Sequence, residues 1–158
     1  MPRPREEPIG RQLARTAKLL TRAFEQELAL AGGSLPTWLI LLSLKSRSWR
    51  TQRELAEALG IEGATLTHHL GGLERAGLVR RTRDPDNRRV QRVELTEAGD
   101  AAFHRLRRAA ASFDRRLRSG LDDSDIQQLR VLLAQLLSNI TGDEPRADER
   151  PAEDVAAS

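Results

Sequence analysis

From Pro8 onward the apolar or small residues Ile9, Leu13, Ala17, Leu20, Phe24 and Leu28 return at steps of four, four, three, four and four, a spacing that predicts an amphipathic helix of about five turns. Gly32-Gly33-Ser34 is expected to end it, because glycine accepts the left-handed backbone that helix C-termini commonly need. A second helix is predicted from near Pro36, carrying Trp38, Leu39, Leu41, Leu42 and Leu44, with proline in its favoured first turn. Thr51 followed three residues later by Glu54 reads as a capping box opening a third helix, whose buried face is Leu55, Ala56 and Leu59 and which Gly60 ends. After only Gly60, Ile61 and Glu62 the pattern resumes with Leu66, Leu70 and Leu73 at i, i+4 and i+7. Two short helices joined by a glycine-containing turn make a helix-turn-helix.

Beyond Gly77 the period changes from helical to alternating. "LVRRTR" and "RVQRVEL" are short β-branched runs joined by Asp84-Pro85-Asp86-Asn87, a tetrapeptide built to turn, and they predict a β-hairpin. A hairpin directly after a helix-turn-helix is a winged helix. "LTEAG" then opens a long helix with Thr96 as its cap and Phe103, Leu106, Ala110, Phe113 and Leu117 on one face. Asp122 and Asp125 suit the start of a last helix, whose apolar residues from Ile126 to Ile140 cover more than one narrow stripe and call for partners on two sides. The expected fold class is mainly α with a small β-wing: a winged helix-turn-helix domain at 35–96, a dimerisation helix at 8–34 and dimerisation helices at 97–141. Residues 1–7 and the acidic stretch 142–158 have little to bury and are expected to be disordered.

Composition narrows the chemistry. Cysteine is absent, which excludes thiol redox sensing, thiolate catalysis and cysteine-ligated zinc. No apolar run approaches the ~18 residues of a membrane span and no signal-peptide core is present, so a cytoplasmic protein is expected. The net charge is only +3, but its distribution is uneven: residues 47–93 hold ten Arg against six acids, and residues 141–158 hold two Arg against six. There is no serine or histidine set with a plausible third member, no glycine-rich phosphate loop and no metal-ligand spacing. Neighbouring histidines diverge by about 100° on a helix, so His68 and His69 do not form an i, i+4 metal pair. The reading is of a non-enzyme without cofactor or metal.

On the second helix of the pair, with Leu66, Leu70 and Leu73 inward, Ala64, His68, Gly71 and Arg75 point outward, flanked by Thr65, Thr67 and Gly72. Such a face can enter the major groove of DNA, with His68 and Thr65 expected at base edges and Thr67 at a base or a phosphate. The turn places Arg88 and Arg89 at the tip of a two-stranded ribbon, where a guanidinium can enter the minor groove. Arg80, Arg81, Arg83 and Arg92 along the strands, and Gln52 and Arg53 at the start of the preceding helix, are expected to meet phosphates. Gly71 and Gly72 are costly inside a helix, at roughly 0.8–1 kcal/mol each relative to alanine. They suit either close approach to DNA or another helix, or tolerance in a well-packed domain.

Residues 54–99, "ELAEALG" to "LTEAG", resemble the multiple-antibiotic-resistance regulator (MarR) family of bacterial transcription factors. The resemblance rests on the helix-turn-helix, the Leu-Glu-x-x-Gly-Leu-Val joint at Leu73 to Val79, the wing tip and Leu-Thr-x-x-Gly at Leu95 to Gly99, and with its helical flanks spans roughly residues 8–140. It implies an obligate homodimer with interlocked first and last helices, a pseudo-palindromic double-stranded DNA site, and release by a small aromatic or phenolic acid bound between the dimerisation and DNA-binding lobes. It places His69, Trp38 and Lys18 near that effector cleft, although Trp38 also suits a core aromatic and Lys18 a solvated surface. The family's wing-tip acid is replaced by Asn87, leaving Asp84 or Asp86 to support the arginine. Dimer contacts are expected from Ile9, Leu13, Leu20, Phe113, Leu117, Leu129, Leu133, Leu136 and Ile140, since the three outer helices carry more apolar surface than one chain can bury. A repressor is the leading function. A ligand-independent or architectural DNA-binding protein, or a winged helix docking onto an acidic protein partner, are the alternatives, separated by salt-dependent binding to a preferred sequence.

Overall fold

The protein's structure, a computed structural model, describes residues 7–47, 51–84, 86–87 and 91–142. The wing-tip Arg88 and Arg89 and most of both expected disordered ends lie outside the described residues. Six helices and two strands follow in the order α1 (Ile9–Leu30), α2 (Leu35–Ser46), α3 (Gln52–Leu59), α4 (Gly63–Arg75), β1 (Val79–Arg83), β2 (Gln91–Leu95), α5 (Glu97–Leu117) and α6 (Asp123–Thr141). Mainly helical content with a single hairpin is the anticipated fold class.

Local chemistry sets the boundaries. Ser34 Oγ accepts from the Thr37 amide and begins α2 one residue before Pro36, and Thr51 Oγ1 accepts from the Glu54 amide to begin α3. Asp122 and Asp125 form a reciprocal capping box at the start of α6. Helices α1, α3 and α4 each close with a six-to-one hydrogen bond past a glycine of positive φ, with Gly33 bonding Leu28, Ile61 bonding Ala56 and Leu78 bonding Leu73.

Two compact units divide near Arg115. In the first, Leu28, Trp38, Ile40, Leu41, Leu55, Leu66, Leu70, Leu73, Val79, Phe103 and Leu106 form one core. The helix-turn-helix, the root of the wing and α5 therefore share a single apolar centre, which holds α4 at a fixed attitude to the hairpin. Strands β1 and β2 pair antiparallel with Val79 opposite Leu95 and Arg83 opposite Gln91.

Where the wing runs into α5, four residues make one joint. The Thr96 amide donates to Leu78 O (3.1 Å), Thr96 Oγ1 donates to Gly77 O (2.6 Å), and the Gly99 amide donates to Thr96 Oγ1 (3.0 Å). Gly99 is buried against the Leu78 carbonyl, and a Cβ there would overlap that oxygen. Thr96 and Gly99 are the Thr and Gly of Leu-Thr-x-x-Gly, and close packing on a backbone carbonyl explains why the glycine is needed.

Phe113, expected at a dimer contact, is buried within its own chain, where its ring lies 5.1 Å from that of Phe24. The second unit holds α6, none of whose residues is buried; Leu129, Leu133 and Ile140 are 47%, 43% and 81% exposed. Ile9 and Leu117 are exposed as well, while Leu13, Leu20 and Leu136 are half-buried. No single helix among the described residues is long and apolar enough to cross a membrane.

Candidate nucleic-acid interface

Helix α4 buries Leu66, Leu70 and Leu73, which turns Ala64, His68 and Arg75 outward in one exposed row. Thr65 and Thr67 are exposed beside them, and Thr67 Oγ1 donates to Gly63 O (2.9 Å), tying that hydroxyl to its own helix. His68 and Arg75 form no hydrogen bond or ion pair within the described chain and present their polar groups to solvent. His69 is half-buried, its ring edge-on to that of His68 at 5.9 Å.

The hairpin is braced by three acids. Glu74, in the last turn of α4, accepts from the Arg81 amide and from Nε (2.9 Å) and Nη2 of the same residue, and this pairing holds the Glu74 carboxyl below its usual pKa. Arg80 Nη2 meets Glu94 across the strands at 3.1 Å. Asp84 Oδ1 accepts from the amides of Asp86 (2.9 Å) and Asn87 (3.2 Å), and Oδ2 accepts from Arg92 Nε (2.9 Å). The backbone bond from Asp86, then the Arg92 guanidinium, push the Asp84 carboxyl down.

These contacts set the strand arginines, all expected to meet phosphates, in different surroundings. Arg80, Arg81 and Arg92 are each engaged by an acid that β pairing or the end of α4 brings within reach, whereas exposed Arg83 makes no ion pair with any described residue. Of the two acids expected to support the wing arginine, Asp84 closes the turn and carries an ionic contact to Arg92, while Arg88 and Arg89 lie outside the described residues.

At the turn end of the ladder, Gln52 Nε2 donates to Gln91 Oε1 at 2.7 Å, and Gln91 lies opposite Arg83. The start of α3 is thereby tied to the hairpin beside Arg83. The side-chain amide of Gln52 is engaged in this tie, and its backbone N–H, in the first turn of α3, has no acceptor within the helix. Arg53 folds along α3 onto Glu57 (2.8 Å); the side-chain bond and the charge of Glu57 raise its pKa, and both groups are exposed. Surface pairs of this kind are weak and yield readily to a phosphate.

Glu74 and Gln91 carry no signal in the sequence as wing-positioning residues, because their partners are set by the strand register and by the packing of α4 on β1. Of the residues expected near an effector cleft, Trp38 is a core residue stacked on Phe103 at 5.8 Å and 11°, Lys18 is exposed on α1, and no hydrogen bond, ion pair or ring contact joins Lys18, Trp38 and His69.

A helix-turn-helix whose second helix projects a polar row beside an arginine-bearing hairpin defines a winged helix-turn-helix transcriptional regulator that binds DNA. Comparison with known proteins gives the family. A model described as MarR family matches residues 34–90, from the cap of α2 to the wing. The transcriptional regulator PA3341 is 34% identical over 86% of this chain and 100% of its own, with a TM-score of 0.69. The transcriptional repressor CouR, solved bound to a 23-mer DNA duplex, is 29% identical over 82% of this chain and 92% of its own, with a TM-score of 0.74. AbsC, a MarR family transcriptional regulator from Streptomyces coelicolor, is 25% identical over 85% of this chain and 93% of its own, again at 0.74. CouR from Rhodococcus jostii RHA1 has also been solved bound to p-coumaroyl-CoA, 24% identical over 82% and 92% with a TM-score of 0.69. The chain belongs to the MarR family.

Proposed function

We propose that the protein is a homodimeric repressor that reads a pseudo-palindromic operator and leaves it when a small aromatic or phenolic acid binds. The observation that carries this reading is the exposed row of Ala64, His68 and Arg75 on α4, set beside a hairpin whose Arg83 is unpaired among the described residues. His68 and Thr65 read base edges in the major groove, and Arg83, Arg53, the Gln52 amide and the wing-tip Arg88 and Arg89 hold phosphates or the minor groove.

Dimerisation is supported by the apolar surface that one chain leaves in water, above all α6 with Leu129, Val131, Leu132, Leu133, Leu137 and Ile140 exposed. Burial against a second copy removes that surface, and a twofold axis sets two recognition helices about one DNA turn apart. The effector half of the proposal draws on CouR, a repressor seen with both DNA and an aromatic thioester.

Selection of bound fragments from random DNA tests the reading, with an inverted repeat as the expected outcome. His68→Ala then relaxes discrimination at one position of each half-site by roughly 1–3 kcal/mol. Arg83→Ala weakens all sequences alike and reduces the salt slope by about one. Equal affinity of the unaltered protein for selected and scrambled duplexes refutes the proposal. A panel of aromatic carboxylates scored for release of the duplex tests the effector.

A further inference from the structure

Two adjacent glycines stand in the interior of α4, and nothing among the described residues accounts for them. Gly71 and Gly72 are not among the glycines of positive φ, so the backbone does not require them. Packing does not require them either, because a Cβ at either position meets no atom within 4 Å. Gly10 and Gly63 are equally unconstrained but stand in the first turns of α1 and α4, whereas a Cβ on Gly33 would run into the side chain of Leu106, and one on Gly99 into the Leu78 carbonyl. Glycine is the poorest helix former after proline, so an uncompensated pair in the recognition helix is a standing penalty.

Their placement indicates what lies outside. At about 100° per residue, Gly71 falls below Ala64 and Gly72 below Thr65, one on each side of the ridge formed by His68 and Arg75. A helix with its side chains is about 10–12 Å across, and the major groove is about 12 Å wide, so the groove walls leave little clearance. Removing a Cβ from each flank lowers the helix surface by about one C–C bond length, roughly 1.5 Å, on both sides of the ridge.

We infer that Gly71 and Gly72 are affinity- and specificity-determining positions that let the groove walls close around α4, so that His68 reaches its base edge, at the expense of helix stability. This rests on the proposed reading of α4 as the operator-reading helix. The pair acts by leaving room, and any side chain at either position holds the duplex away.

Gly71→Ala and Gly72→Ala in the full-length protein test it, with thermal melting, sedimentation and binding to the selected operator and to a scrambled duplex measured on the same samples. Each alanine is expected to raise the melting temperature by about 2–4 °C. Operator affinity is expected to fall tenfold or more, with a smaller loss on scrambled DNA, so that discrimination narrows as well. Variants that melt higher and bind both duplexes like the parent overturn the inference while leaving the operator reading intact. Variants that melt lower show that the fold needs the glycines, and variants that change only the oligomeric state assign the space to a second copy; either also overturns it. If the unaltered protein fails to discriminate, the operator reading itself fails and this inference falls with it, an outcome visible before any variant is made.

Discussion

Gly99→Ala makes the opposite thermal prediction from the recognition-helix glycines, though the chemical change is the same. In α5 the new methyl gains the helix preference of alanine, roughly 0.8–1 kcal/mol. Against that, its Cβ overlaps the Leu78 carbonyl oxygen, which is backbone and cannot swing aside. Overpacking of this kind costs about 1–3 kcal/mol. Moving the carbonyl also strains the bond it accepts from the Thr96 amide and the cap that Thr96 Oγ1 provides to the Gly99 amide, for about another 1 kcal/mol. The net is a destabilisation of roughly 1–3 kcal/mol, or about 2–12 °C in melting temperature for a chain of this size. Circular-dichroism melts at one fixed protein concentration measure it, since dimerisation makes the midpoint concentration-dependent. A Gly99→Ala protein melting at or above the parent would refute the claim that this glycine exists for close approach to a carbonyl, and with it the logic that separates Gly99 from Gly71.

Asp84→Asn removes the charged brace of the wing and is expected to weaken binding to every duplex with little change in discrimination, measured by titration at two salt concentrations; unchanged affinity would show that the wing stands without it. Because the folded Asp84 pKa lies below its ordinary value, its contribution to stability is complete above the ordinary carboxylate range and is lost as pH falls through the depressed value. Asp84→Asn should therefore flatten part of the acid side of a stability–pH curve, with Glu74 and Asp100, also depressed, supplying the remainder. Trp38→Ala is expected to cost about 3–5 kcal/mol in melting experiments, as for a core aromatic; near-native stability with loss of effector response would return Trp38 to the ligand site. Leu133→Glu together with Leu137→Glu on α6 should yield monomers in sedimentation, and a persistent dimer would place the subunit contact elsewhere.

Much of the fold was legible because it depends on local chemistry. The α4 apolar set at i, i+4 and i+7, the Thr51, Thr96 and Asp122 caps, and the glycines that end α3 and α4 are choices made within a few residues. The outward row of Ala64, His68 and Arg75 follows from the same period once the inward side is known. The apolar character of Phe113 says only that it is covered, and periodicity cannot distinguish Phe24 of the same chain from a second subunit. Trp38 shows the same ambiguity between a core and a cleft, and only the fold reveals its stack on Phe103.

The order of amino acids by itself determined where helices and strands begin and end, which face of each is apolar, and that arginine gathers on the hairpin, because capping, turn formation and period act between near neighbours in the chain. Only the tertiary structure decided which strand arginines have an acid beside them. Glu74 reaches Arg81, Asp84 reaches Arg92 and Glu94 reaches Arg80 through strand register and the packing of α4 on β1, while Arg83 has no ion pair among the described residues.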